Sequence, residues 1–175
     1  MATDVGSGLD EIRAAPADVG VLELIARRPA VDEREVLEEG ELDVEVGLVG
    51  DSWSHRGKHP HPEAQVTLMN SRAAALVAGE RERWPLAGDQ LYVDLDLSGE
   101  NLPPGTRLAI GSAVLEVTDA PHLGCGKFAA RYGDDARELV NSPEGVALNL
   151  RGINARVVAG GVVRCGDAVR KLASG

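Results

Sequence analysis

Apolar and polar residues alternate in short runs along this chain, and glycine or proline separates most runs from the next. Val21-Leu22-Glu23-Leu24-Ile25-Ala26 predicts a first strand, closed by Arg27-Arg28-Pro29. An acidic stretch from Val31 to Val46, broken at Gly40, predicts a helical turn and then a strand over Leu42–Val46; its charges read as a solvated face. Gln65–Met69 predicts another strand, after which Asn70 or Ser71 caps a short helix that runs to Ala78 and ends at Gly79. In Leu91–Leu97 the leucines and Val93 share one face, which leaves Tyr92, Asp94 and Asp96 on a solvated one. Thr106–Ile110 and Ala113–Thr118 read as a hairpin about Gly111-Ser112. Short helices follow at 128–132, 134–140 and 143–150, then strands at 151–158, 162–164 and 168–172. Numerous short strands with late, short helices predict a mainly β fold, a curved or closed antiparallel β-barrel. Residues 1–18 are expected to form a flexible N-terminal segment and 19–175 a single domain.

Composition sharpens this picture in three ways. Aromatic residues are 3% of the chain and hydrophobic residues 43%, so aliphatic side chains must fill the core. The formal net charge of −10 argues against nucleic acid or an anionic membrane as the main partner, and leaves room for a local basic pocket. Cys125 and Cys165 form no CxxC pair, and the start MATDVGSGLDE has neither a basic region nor an apolar run. With no apolar stretch near the ~20 residues of a membrane span, the expectation is a soluble protein of a reducing cytoplasm.

Two stretches carry candidate chemistry. The strand Ala113–Thr118 runs into Asp119-Ala-Pro-His-Leu-Gly-Cys-Gly-Lys127, which sets Cys125 between two glycines with His122 before it and Lys127 after it. Positive charge, or the unpaired N–H groups of a helix starting at Phe128, would lower the thiol pKa and make Cys125 a nucleophile or metal ligand. The bland alternative is a buried cysteine that packs as a small hydrophobe. The second stretch, Asp51–Pro62, holds His55, His59 and His61 together with Arg56 and Lys58. Its histidine spacing matches no regular zinc pattern, which favours an exposed polar loop. Arg56 and Lys58 beside Gly57 suit an anion instead. The chain has no GxGxxG, Walker loop, GxSxG or HExxH.

Taken in order, Gly47-Leu-Val-Gly-Asp51 with His55, Gln65-Val-Thr-Leu68, Pro104–Gly111, Ala113–Thr118, Cys125, Asn154-Ala-Arg-Val-Val158 and Gly160–Asp167 resemble the MOSC domain. That module ends the molybdenum cofactor sulfurases and also occurs as a stand-alone bacterial protein. The resemblance implies a barrel-like domain that binds the molybdenum cofactor or carries sulfur to a metal–sulfur centre. Cys125 would then be a persulfide carrier or a thiolate ligand to molybdenum. Asp51 and His55 match the family's Gly-Asp-x-His region. Arg56, Lys58, Lys127 and Arg156 could hold the cofactor's phosphate, with His122 and Asn154 also at the site. The sequence departs from the family at Gly124, where proline is usual, at Tyr92-Val93-Asp94, where a Glu-Asn pair is usual, and in a longer Asp51–His55 spacer. Pyridoxal phosphate is not expected, because no aminotransferase-like domain accompanies this one. The residues leave open whether sulfur is transferred, a substrate such as an N-hydroxylated compound is reduced, or a non-catalytic module binds a small anion or a protein. Possible partners are a small-molecule ligand and a redox or sulfur-donor protein.

Overall fold

The computed structural model describes residues 5–58 and 60–173. Strand β1 (Val19–Arg27) pairs along one edge with β6 (Leu91–Asp94) and along the other with β11 (Ala168–Lys171). From β11 the ladder continues through β7 (Arg107–Ile110), β8 (Ala113–Val117), β9 (Ile153–Ala159) and β5 (Val66–Asn70), and returns to β6. Seven strands therefore close on themselves, with β2 (Glu35–Leu37) added beside β1. A smaller sheet joins β3 (Glu39–Asp43), β4 (Gly47–Leu48) and β10 (Gly161–Arg164). Closure removes the exposed edges that short strands would otherwise present.

The barrel is not wholly antiparallel. β5 and β6 run parallel, because the chain between them crosses over through helix α2 (Ser71–Ala78). Asn70 makes that crossover local: it ends β5 and its side chain accepts from the N–H groups of Arg72 and Ala73, while Gly79 closes the helix. The acidic strand also shifts, ending at Asp43 rather than Val46. The Asp43 carboxylate accepts from the N–H groups of Glu45 and Val46 and turns the chain there.

Side-chain alternation divides the apolar residues between two layers. Leu22, Ile25, Leu68, Leu91, Val93 and Leu115 are among those filling the barrel. Leu24, Ala26, Met69 and Tyr92 point outward and are covered by α2 and by a 3-10 segment over Arg81–Ala87. Tyr92 is thus fully buried rather than solvated, and its hydroxyl donates to the Trp84 carbonyl at 2.7 Å. The N-terminal segment likewise departs from expectation. Val5–Arg13 forms helix α1, whose Leu9 and Ile12 are buried as its apolar face joins the same layer as α2. After β8 the chain forms α3 (Gly126–Tyr132), α4 (Asp134–Asn141) and α5 (Pro143–Ala147) before β9. Among the described residues no helix is long and apolar enough to cross a membrane.

Candidate functional site

The loop after β8 is held from both sides. Thr118 donates its N–H to the Asn154 carbonyl, and Asn154 Nδ2 donates to the carbonyls of Ala120 and Pro121 at 3.0 and 3.2 Å. At the far end the Asn141 carboxamide grips both backbone groups of Gly124, each at 2.8 Å. Proline at 124 would have no N–H for this clamp, and any Cβ there would sit 2.8 Å from Val140 Cγ2. The position that departs from the family pattern is therefore built around glycine.

Cys125 follows the clamp as the residue that caps α3, and it is exposed. The N–H of Phe128 is the main influence lowering its pKa; partial burial opposes this, and the N–H of Lys127 and the charge of Arg151 add to the lowering. None of these closes a full capping hydrogen bond to sulfur. The thiol stands at the rim of a cleft of about 490 Å³.

Cations dominate that cleft. Arg28, Arg34, Arg56, Lys127, Arg131 and Arg151 all line it, in a chain whose net charge is −10. Two of them are fixed by buried carboxylates. Arg28 donates from its backbone N–H, Nε and Nη2 to Asp51, whose Oδ2 also receives the Trp53 N–H. Arg151 pairs through Nη1 with Asp89 and donates through Nη2 to the Ala87 carbonyl, which leaves its buried Nε without a partner. Asp89 also meets His122 Nε2 at 2.7 Å. Burial pushes the Asp89 carboxyl up, yet Arg151 and then His122 outweigh it and hold it far below the usual carboxylate range. Asp51 behaves alike: burial raises it, and the Arg28 hydrogen bonds and charge bring it below normal.

The other cations are less neutralised. Arg34 donates to the carbonyls of Pro85 and Glu33, and Arg131 lies 3.7 Å from the exposed Asp32. Burial and then Arg131 and Arg28 lower the Arg34 pKa; burial and then Arg28 lower that of Arg56. Lys127 makes no ion pair among the described residues. Gly152 lets the wall close up: its φ is +125°, and a Cβ there would lie 3.0 Å from the His122 ring and 2.5 Å from the Leu68 carbonyl.

Of the residues singled out in the sequence, Cys125, Arg56, His122 and Lys127 come together at the cleft. Asp51 lies beneath it, with its oxygens committed to Arg28 and Trp53 rather than turned to a ligand. Asn154 lines an adjoining cavity and fixes the cysteine loop. His55 and Lys58 are exposed and line neither cavity, and His59 lies outside the described residues. Arg156 is placed elsewhere: it pairs with Glu116 across β8 and β9, on the solvent side of the barrel. Sequence reading missed Arg28, Arg34, Asp89, Arg131 and Arg151, which come from separate segments and share no motif. Among the described residues no three His, Cys, Asp or Glu side chains gather as an all-protein metal site requires.

The family model of the MOSC domain matches residues 55–170. The fold is similar to that of YuaD from Bacillus subtilis, with a TM-score of 0.58 and 17% identity over 86% of this chain and 94% of that one. It is also similar to YiiM from Escherichia coli, at 0.59 and 20% identity over 89% and 71% of the two chains. YiiM from Geobacillus stearothermophilus gives 0.52 and 12% over 88% and 73%. No curated protein sequence matches this chain.

Proposed function

The chain belongs to the MOSC domain family, and from that premise we propose that its arginine-lined cleft binds the molybdenum cofactor with the Cys125 thiolate as the protein's sulfur donor. One observation carries the reading: an exposed thiol whose pKa is lowered stands at the rim of six clustered cations in an otherwise acidic molecule. The donor set fits such a group. Thiolate is a soft ligand suited to molybdenum, and the cations suit a phosphate-bearing pterin. The buried, unpartnered Nε of Arg151 is a further donor without an acceptor of its own.

When bound, the cofactor supplies a redox-active metal centre. The chain's own residues do the rest. Asp89 holds Arg151 at the cleft wall and fixes the His122 ring through Nε2. Asp51 holds Arg28 in the same way. Lys127 and Arg56 add positive charge to the cleft lining. The exposure of Cys125 also favours a second reading, in which that sulfur carries a persulfide received from a donor protein.

Purification from a host that makes the cofactor tests both. Molybdenum and pterin are expected to accompany the native protein and the Cys165→Ala variant, and to be lost from Cys125→Ser. Cyanide-releasable sulfur on Cys125 without molybdenum would select the carrier reading instead. If neither metal nor labile sulfur depends on Cys125, both readings fail.

A further inference from the structure

A second cavity of about 320 Å³ adjoins the cysteine cleft and shares Arg28, Arg56, Thr67 and His122 with it. Its own wall is different in kind. Trp53, Pro60 and Ala64 give it an apolar side, and no carboxylate of the described residues lines it. Trp53 is 9% exposed, and its indole Nε1–H is buried without an acceptor. A buried donor left unpaired is costly, so an acceptor belongs there.

His61, Arg56 and Arg28 add further donors to this wall. His61 Nδ1 accepts the Glu63 N–H at 3.1 Å, so the neutral ring carries its proton on Nε2. Arg56 makes a single 3.4 Å contact with Ser52 Oγ and no ion pair among the described residues. Arg28 has its Nε and Nη2 on Asp51, which leaves Nη1 uncommitted. Asp51 fixes the wall as a unit, since it grips both Arg28 and the Trp53 backbone N–H. Arg56, which makes no ion pair among the described residues, calls for an anionic acceptor, and the flat indole with Pro60 and Ala64 calls for a planar apolar body. The volume lies at the small end for ligand pockets, enough for a single ring.

We propose that this cavity is a binding site for a small aromatic carboxylate, its ring on Trp53 and its carboxylate on Arg56, with the Trp53 indole N–H as a further donor. The site needs neither molybdenum nor Cys125, so it goes beyond the cofactor reading and is testable without it.

The test is titration of ¹⁵N-labelled protein with benzoate, following the indole N–H signals of the two tryptophans. The Trp53 signal, identified by its loss in Trp53→Phe, is expected to shift saturably. The Trp84 signal is expected to stay, because that N–H already donates to the Gly79 carbonyl. Arg56→Ala and the neutral probe benzamide are each expected to weaken binding about tenfold or more, the effect of losing a charge-assisted hydrogen bond. Cyclohexanecarboxylate is expected to bind more weakly than benzoate, and Cys125→Ser to bind benzoate as the native chain does. The proposal is overturned if Trp53 shows no saturable shift, if Arg56→Ala binds equally well, or if inorganic phosphate moves Trp53 as strongly as benzoate. It also fails if benzoate binding disappears in Cys125→Ser, which would put the acid in the cysteine cleft.

Discussion

Two cysteines of one chain sit in opposite environments. Neighbouring N–H groups draw the Cys125 thiol down, whereas burial and then Glu38 push the Cys165 thiol up. Alkylation with iodoacetamide should therefore show Cys125 reacting with a pKa below the ~8.5 of an ordinary thiol. Cys165, followed in Cys125→Ser, should titrate above it. Asp89 sets a second residue-level expectation. Its folded pKa is depressed, so its contribution to stability is present above the unfolded value of about 3.9 and is lost as pH falls below that. Asp89→Asn leaves Arg151 buried against a neutral amide, which should cost about 3–5 kcal/mol in urea unfolding at pH 7 and flatten the acid limb. At this scale the sequence was legible where chemistry is local. Cys125, His122 and Lys127 fall within six consecutive residues, and the structure keeps them together at the cleft. Arg28, Arg34, Arg131 and Arg151 are scattered, and only folding makes them neighbours. Arg156 looked equivalent to them in sequence, but strand alternation turns it outward to Glu116.

Among the elements, the cysteine end of the loop after β8 is anchored by one side chain at the end of α4. Asn141→Ala removes both hydrogen bonds to Gly124 and should destabilise the protein by about 1–3 kcal/mol. Hydrogen exchange should rise across residues 118–125 while the barrel strands keep their protection, and Cys125 alkylation should change while Cys165 alkylation does not. Strand and helix positions were readable wherever a cap or turn marks them, as Asn70 and Gly79 mark α2 and Gly111-Ser112 marks the β7–β8 hairpin. They were misread where a third element decides the environment. The alternation in β6 is real, but α2 and the Arg81–Ala87 segment cover its outer face, so Tyr92 is interior. Helix α1 was hidden because its apolar residues are spaced among glycine, serine and aspartate, and become a face only against α2.

For the whole molecule, charge distribution matters more than total charge. The net −10 repels an anionic ligand at long range, while the cleft attracts it at short range. Added salt should weaken pyrophosphate binding at the cleft, by about tenfold between 50 and 500 mM NaCl as the Debye length shrinks. Calorimetric titration at several ionic strengths checks this, and a salt-independent affinity would mean the arginines do not bind the anion. The barrel class was legible because short alternating strands with tight turns have few other ways to bury one face. Its parallel pair was not, since a helical crossover and a hairpin leave similar traces in hydrophobic pattern.

The pairing of β1 with β11 joins the first strand of the barrel to the last. A chain emerging from the ribosome can match Ile25–Arg27 with β2 early, but holds Val19–Val21 with one side unmatched until Ala168–Lys171 has been synthesised. The ring can shut only once this strand has been made, which lengthens the time a bare ladder edge is open to other nascent chains.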